Sequence, residues 1–307
     1  MCAKTDILTT LAYFDIFNYP ITQTEIFFFL RNHYPQEEFA DALQELQKEE
    51  LIFKFDDFFS LQYDYQLVAR RRKGNLKAKK MLGTADGIAR FLSSFPFVRG
   101  VAVSGSLSKN FADEKSDIDF FIVTQKNKLW LARTFMHLFK KLTFLLKKEH
   151  LFCMNYYVDE EGLEIKEKNI YTATELATLL PLRGIAAFHQ LYQHNLWSRD
   201  FLPNHTMKIA YTKEARTTLL KRVIEWCFCN PLGNALDLLL MKVTARRWAK
   251  KTRRNQRNTH GNLMGMDASR HCAKPDPKTF QNKFMDGYEK NVFSVLQHYG
   301  IRLKPVS

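Results

Sequence analysis

The sequence lacks long uninterrupted apolar runs. It contains no stretch of 18 consecutive apolar residues, and its two most apolar segments, 129–146 and 235–241, are interrupted by charged side chains. A transmembrane helix needs about 20 consecutive, mostly apolar residues. The sequence therefore predicts no membrane span.

Cysteines are few and irregularly placed. There are five, an odd number, and their spacing does not suggest a disulfide framework. The first residues, Met1 to Asp6, also lack the apolar core of a secretory signal. We therefore expect a reduced protein in the cytoplasm, since disulfides persist mainly in oxidising compartments. The cysteines are Cys2, Cys153, Cys227, Cys229 and Cys272.

Several familiar motifs are missing as well. The sequence has no Gly-x-Ser-x-Gly elbow, no Walker phosphate loop and no dinucleotide-binding glycine fingerprint. What it does have is 46% hydrophobic residues and 26 phenylalanines among 307 residues. This composition excludes a disordered or fibrous chain and, at this length, predicts two or three globular domains.

Acidic residues are outnumbered. The chain has 46 Lys and Arg against 32 Asp and Glu, a formal net charge of +14. Such a balance suggests a polyanionic partner: a nucleic acid, nucleotide phosphates or an acidic membrane surface. Seven basic residues fall in 70–80 and eight in 242–257. Segment 70–80 is interpreted either as a phosphate-facing flank of the next domain or as a solvated helix. Segment 242–257 is interpreted either as a strip that binds a polyanion, namely RNA, another nucleic acid or an acidic membrane surface, or as a solvated helix.

Residues 1–85 predict a winged-helix-like module with a linker helix, although a small helical cap is the alternative. Thr22 and Glu25 have the spacing of a capping box, which starts the second helix. The expected helices are 7–17, 24–32 and one that opens at 35–38, and the expected strands are 51–55 and 58–61.

The third helix of this module is acidic. A winged helix reads DNA with that element, but phosphates would be repelled here by six carboxylates against a single Lys48. We therefore expect the module to dock a protein partner or to be structural. The carboxylates belong to Glu37, Glu38, Asp41, Glu45, Glu49 and Glu50.

Residues 86–180 alternate between helix and strand patterns, which predicts an α+β domain with a small mixed sheet. Residues 181–307 predict a mostly helical C-terminal region. The expected elements of the middle domain are helices 86–95 and 129–146 with strands 98–103, 117–124, 151–158 and 163–166. Beyond it we expect helices 219–229 and 232–251 and a long loop over 255–276.

The most informative segment joins two of these strands. The first ends in Gly105-Ser106, and after ten further residues Asp117-Ile118-Asp119 opens the second. A glycine lets backbone approach a phosphate closely, and a serine adds a hydroxyl donor. Asp117 and Asp119, two apart on a strand, share one face and repel each other unless a cation lies between them. Mg²⁺ prefers such oxygen ligands and accompanies triphosphates.

This pattern resembles the signature of the DNA polymerase β-like nucleotidyltransferase superfamily, which includes minimal and aminoglycoside nucleotidyltransferases. The resemblance implies that Asp117 and Asp119 hold Mg²⁺ or Mn²⁺ and that Gly105 and Ser106 bind an NTP such as ATP. It also implies transfer of a nucleoside monophosphate to an acceptor with release of pyrophosphate. Lys109, which flanks the loop, is predicted to contact a phosphate.

One departure from the family concerns the third carboxylate that usually completes the metal site. Its expected position, in the strand over 151–158, holds Asn155, whose amide can ligate a metal but cannot accept a proton. Glu164 on the following expected strand is the substitute that we consider. Two alternatives to an enzyme therefore stay open: a non-catalytic nucleotide-binding regulator and an antitoxin-like protein that binds a partner through its acidic module.

Overall fold

The computed structural model describes most of the chain. Within the described residues it has twelve helices and nine strands, which form a three-stranded sheet near the N-terminus and a six-stranded sheet in the centre. All five cysteines are free thiols. The described ranges are 2–114, 116–144, 153–205, 207–209, 212–254, 266–275 and 278–298.

The N-terminal module contains the three helices and the hairpin that its sequence predicts. The Thr22 hydroxyl accepts a hydrogen bond from the Glu25 amide, and the Glu25 carboxylate accepts one from the Thr22 amide, which confirms the capping box. The small antiparallel sheet has the order β1-β3-β2; its classification as a winged helix stays a prediction. The elements are α1 (Ala3–Asp15), β1 (Ile21–Thr22), α2 (Gln23–Phe29), α3 (Gln36–Lys48), β2 (Phe53–Phe55) and β3 (Phe58–Ser60).

A single 28-residue helix, α4 (Tyr65–Leu92), connects the module to the central sheet. It merges the expected linker helix with the helix expected over 86–95, so the domain boundary that we predict after residue 85 lies inside it. Arg71 fastens α4 to the module. Its guanidinium lies 2.7 Å from a Glu25 carboxylate oxygen, donates to the Pro20 carbonyl and stacks over Tyr19.

The central sheet has the strand order β7-β4-β5-β6-β9-β8. Its β5 and β6 are parallel and all other neighbours are antiparallel, which confirms the mixed sheet and the α+β class. Helix α6 (Leu129–Phe144) lies between β5 and β6 in the chain. The strands are β4 (Val98–Val103), β5 (Asp119–Thr124), β6 (Cys153–Asp159), β7 (Leu180–Arg183), β8 (Met266–Ala268) and β9 (Cys272–Pro275).

Both faces of this sheet are covered by helices. On one face, strand residues such as Phe120 and Ile122 pack against α4 and against Trp130 and Met136 of α6. The other face carries Phe121, the next residue along β5, and packs against α8 (Ile185–Gln193). Because successive strand residues point to opposite faces, β5 contributes to both cores.

Two expectations about this sheet are wrong. Residues 163–166 are not a strand: the Asn195 side chain accepts from the Ile165 amide at 2.9 Å and donates to the Leu163 carbonyl at 2.8 Å. The place beside β6 is taken by β9, which lies with β8 in the segment expected to be a loop. The rest of that expected loop, 255–265 and Asp276, lies outside the described residues.

The C-terminal region is mostly helical, as expected, but it also supplies β7, β8 and β9 to the central sheet. Its last helix returns to the N-terminal module, where the Phe284 and Tyr288 rings pack edge-to-face on Tyr13 of α1. No helix of the described residues is long and apolar enough to cross a bilayer. The remaining helices are α7 (Ile170–Thr178), α9 (Ser198–Phe201), α10 (Leu219–Phe228), α11 (Pro231–Arg253) and α12 (Lys278–His298).

Candidate active site

The loop after β4 meets the start of β5. Ser104 donates its amide to the Asp119 carbonyl at 2.9 Å, and Gly105 begins the one-turn helix α5 (Gly105–Ser108) with a left-handed φ of +69°. A Cβ on Gly105 would lie 3.0 Å from Oδ2 of Asp119. The missing side chain therefore lets the Asp119 carboxylate lie directly against this turn, next to the exposed Ser106.

The two aspartates of the motif are half-buried, whereas the residues between and after them are in the core. Ile118 is 1% exposed and Phe120 is fully buried. β5 begins at Asp119, so Asp117 lies two residues before the strand that we expected it to open. Both aspartate side chains are only half-buried, whereas Ile118 and Phe120 belong to the core. The carboxylates lie at the end of the sheet where β5 begins.

The neighbour of Asp119 on β6 is Cys153. The register of the two strands then shifts between Phe120 and Phe121, which makes Asn155 the extra residue of a bulge. Burial and the nearby Asp119 and Asp117 charges raise the pKa of the Cys153 thiol to about 12. The side chain of Asn155, the predicted third-ligand position, lies outside the described residues. Sequence reasoning missed Cys153, because only the strand register identifies it as the partner of Asp119.

The substitute third ligand, Glu164, is in a different environment. Its carboxylate is 57% exposed and pairs with Lys168 at 2.8 Å, and this contact lowers its pKa. Among the described residues, those that line the cavity at Asp119 do not include it. The structure therefore gives Glu164 a surface ion pair in the segment that fails to form the expected strand.

Lys109 lies at the C-terminal end of α5. Its ammonium contacts the Glu175 carboxylate at 2.6 Å and the Gly105 carbonyl at 3.2 Å. Its own carbonyl accepts a 2.6 Å hydrogen bond from the Tyr19 hydroxyl of the N-terminal module. Lys109 thus connects the glycine turn with α7 and with the module.

Two cavities adjoin the glycine turn. One, of about 220 Å³, is lined by Asp119 together with Glu167, Glu175 and Lys274. Lys274 lies on β9 and pairs with Glu167 at 2.7 Å, so the C-terminal region contributes charge to this site. The burial of Tyr171 between these elements and the nearby Glu175 and Asp119 charges raise the pKa of its hydroxyl.

The second cavity, of about 340 Å³, shares Gly105, Tyr171 and Glu175 with the first. Its other walls include Tyr19 and Arg70, together with aromatic residues of α1. The N-terminal module and the basic segment 70–80 thereby reach the candidate site. The sequence carries no local signal of this contribution, because it depends on how α1 and α4 pack.

Comparison with protein families agrees with this geometry. Residues 86–179 match the family model described as the nucleotidyltransferase domain. The chain contains a nucleotidyltransferase domain. Comparisons with curated proteins and with solved structures returned no match. The matched residues of the nucleotidyltransferase domain contain the glycine turn and both motif aspartates, but not β7, β8 or β9.

The donor set of the nucleotidyltransferase domain fits a hard divalent cation. Mg²⁺ is usually held by one or two carboxylates, and substrate phosphates and water complete its coordination. Asp119 offers one such carboxylate against the turn that holds Gly105, and Asp117, two residues earlier in the chain, offers a second. Within the described part of the chain, no group of three or more His, Cys, Asp or Glu side chains is placed to hold a metal ion by itself. Substrate phosphates and water would therefore complete the coordination.

The predicted partner surfaces outside the domain are partly engaged within the chain. In 70–80, Arg71 is buried in its contact with Glu25. In the acidic module, Lys4 contacts both Glu45 and Glu49 at 2.8 Å. The described part of 242–257 lies on α11 and at its end, and exposes most of its basic side chains; residues 255–257 lie outside the described residues.

Proposed function

We propose that the nucleotidyltransferase domain transfers a nucleoside monophosphate from an NTP to an acceptor hydroxyl. The observation that carries the proposal is the contact between the Gly105 turn and the Asp119 carboxylate inside the matched domain. This arrangement brings a phosphate-binding backbone and a metal-binding carboxylate to one point, which is what phosphoryl transfer needs.

Each residue then has a role. Asp117 and Asp119 hold Mg²⁺ or Mn²⁺, which when bound neutralises charge on the triphosphate. Gly105 and Ser106 face the phosphates with backbone and hydroxyl groups. Lys109 lies one turn further along and adds positive charge near them, while its contact with Glu175 fixes its position.

The reaction joins the acceptor oxygen to the α-phosphorus and breaks the bond between that phosphorus and the bridging oxygen of pyrophosphate. The acceptor proton leaves with a carboxylate or with solvent. In the described residues, Glu167 and Glu175 are carboxylates that line the same cavity as Asp119. Glu175 is held in place by its ion pair with Lys109, and Glu167 by its ion pair with Lys274.

The test is transfer from an NTP labelled at the α-phosphate to the protein itself, to RNA and to a small-molecule extract. We expect labelled product and pyrophosphate from the unmodified chain, and loss of both in Asp117→Asn and Asp119→Asn. Asp57→Asn, which neutralises an exposed carboxylate in the β2–β3 turn, is the matched control and should keep activity. Undiminished transfer by both motif variants would refute the proposal.

A non-catalytic nucleotide-binding regulator is the second candidate. It is favoured by the β5–β6 register, which sets the Cys153 thiol rather than a carboxylate opposite Asp119. A regulator would bind Mg²⁺ and NTP through the same two aspartates, yet release no pyrophosphate with any of the acceptors. Nucleotide binding and pyrophosphate release, measured on the same samples, separate the two functions.

A further inference from the structure

Helix α10 is amphipathic, but its apolar side faces solvent. Leu219 is 79% exposed and Trp226 is 81% exposed, and Val223 lies between them on the same face. The opposite face, toward the sheet, carries Lys221 and Glu225. This orientation is the reverse of what helix packing usually gives, where the apolar stripe faces the core.

Two polar anchors hold α10 in this orientation. The Lys221 ammonium, 4% exposed, donates to the Ser93 carbonyl at 2.9 Å and to the Val98 carbonyl at 2.8 Å. Glu225 accepts from the Phe97 amide at 2.7 Å and pairs with a side chain of β4. Because these groups satisfy each other where β4 begins, turning the helix over would leave several of them without partners.

The apolar surface continues onto α11. A tight turn joins the two helices: the Asn230 side chain caps α11, and a Cβ on Gly233 would lie 1.9 Å from the Phe228 carbonyl oxygen. After this turn, Leu232 is 81% exposed and Leu239 is 56% exposed. Because the connection is this short, Leu232 lies next to the C-terminal end of α10, and Leu239 follows two turns further along α11.

The exposed face of α11 then becomes basic. Lys242, Arg246 and Lys250 follow Leu232 and Leu239 along one face at the spacing of an α-helix, and all three are exposed. An apolar area thus adjoins a row of cations. We call it the α10–α11 surface: Leu219, Leu220, Val223, Trp226, Leu232, Leu239, Lys242, Arg246 and Lys250.

We propose that the α10–α11 surface binds the surface of an anionic lipid bilayer. Leucine and tryptophan side chains enter the boundary between headgroups and acyl chains, and neighbouring lysines and arginines attract acidic headgroups. A nucleic acid would use the basic residues but offers little to exposed leucines. In a symmetric dimer formed through this surface, the basic row of one copy would face the basic row of the other, and the like charges would repel.

The α10 part of this surface lies at the opposite end of β4 from the candidate active site. The anchors of α10 lie at the start of β4, around Phe97 and Val98, whereas Gly105 follows the end of that strand. A strand of six residues spans about 20 Å. The bound protein would therefore present its nucleotidyltransferase domain at the membrane with the glycine turn at the far end of β4.

The test is co-sedimentation of the full chain with vesicles of phosphatidylcholine, either alone or mixed with phosphatidylserine. We expect binding to the mixed vesicles and a blue shift of tryptophan emission as Trp226 enters the bilayer. Leu219→Ser should weaken binding roughly tenfold, and Arg246→Gln about fivefold. Leu76→Ser, on α4 and 68% exposed, is the matched control and should bind like the unmodified chain.

Three results would overturn the proposal. One is failure to bind the mixed vesicles, or equal binding to neutral ones. A second is equal binding by the Leu219 and Leu76 variants. A third is a concentration-dependent dimer that Leu219→Ser dissociates, since that would assign the surface to a second copy of the chain.

Discussion

Replacing Gly105 with alanine tests the geometry on which the site depends. Alanine at a left-handed φ costs about 1–2 kcal/mol relative to its preferred conformations. The added Cβ would also lie 3.0 Å from Oδ2 of Asp119 and force the carboxylate to move. Overpacking of this kind costs about 1 kcal/mol or more. We therefore expect a total loss of about 2–3 kcal/mol in the free energy of unfolding.

The assay is urea denaturation combined with a double-mutant cycle. In an Asp119→Ala background the displaced carboxylate is absent, so Gly105→Ala should cost only the backbone part, about 1–2 kcal/mol. Nucleotide binding gives a second measurement. The shifted carboxylate should weaken Mg²⁺-dependent NTP binding by at least tenfold. A loss of stability that leaves most molecules folded would by itself change this affinity very little.

Gly83→Ala is the matched control for this prediction. Gly83 lies in α4, and a Cβ there would meet nothing within 4 Å. Alanine should stabilise that helix by about 0.5–1 kcal/mol and leave nucleotide binding unchanged. The reasoning fails if Gly105→Ala is as harmless as Gly83→Ala, or if its cost is the same with and without the Asp119 carboxylate.

Three further predictions concern the scaffold. Gly74→Ala should destabilise by about 1–3 kcal/mol in urea, because its Cβ would lie 2.3 Å from the Phe111 ring; native-like stability would contradict the packing of α4 on the site loop. Arg71→Met should cost about 2–3 kcal/mol, since it leaves the half-buried Glu25 carboxylate without its cation, and Glu25→Gln should cost less. Burial raises the pKa of Asp237 to about 6, above its unfolded value, so the folded state binds the extra proton. Lowering the pH from 7 to 5 should therefore stabilise the protein by about 1 kcal/mol through this group, and Asp237→Asn should remove that part of the pH dependence.

Local signals predicted the part of the fold that carries the motif. The apolar run 98–103 forms β4 with the expected bounds, and β5 ends at Thr124 as expected but begins at Asp119, two residues later than expected. The capping box at Thr22 forms because its two hydrogen bonds join residues only three apart. Each of these features depends on neighbours in the sequence, so pattern and structure agree.

The two wrong predictions about the central sheet depend on residues that are far away in the sequence. Residues 163–166 have a strand-like pattern, but the Asn195 side chain, some 30 residues away, satisfies their backbone. The polar segment after residue 265 forms β8 and β9 because the edge of β6 is available to pair with it. Neither the Asn195 contact nor the open edge leaves a trace in the local sequence.

The candidate site was only partly predictable for the same reason. The glycine turn and the two aspartates follow from spacing, but the cavity walls come from the N-terminal module and from β9. Arg70 lines one cavity and Lys274 the other, each from an element far from the motif in the sequence. The exposure of Trp226 could not be predicted from the sequence either, because an amphipathic pattern predicts that the apolar side of α10 faces the core.

The most direct test of the central claim is the affinity for a non-hydrolysable NTP analogue, measured by calorimetry with and without Mg²⁺. If Asp117 and Asp119 form a metal site at the Gly105 turn, Mg²⁺ should strengthen binding at least tenfold in the unmodified chain. It should have no such effect in Asp117→Asn or Asp119→Asn. Binding that is unaffected by Mg²⁺, or equally strengthened in both variants, would contradict the account.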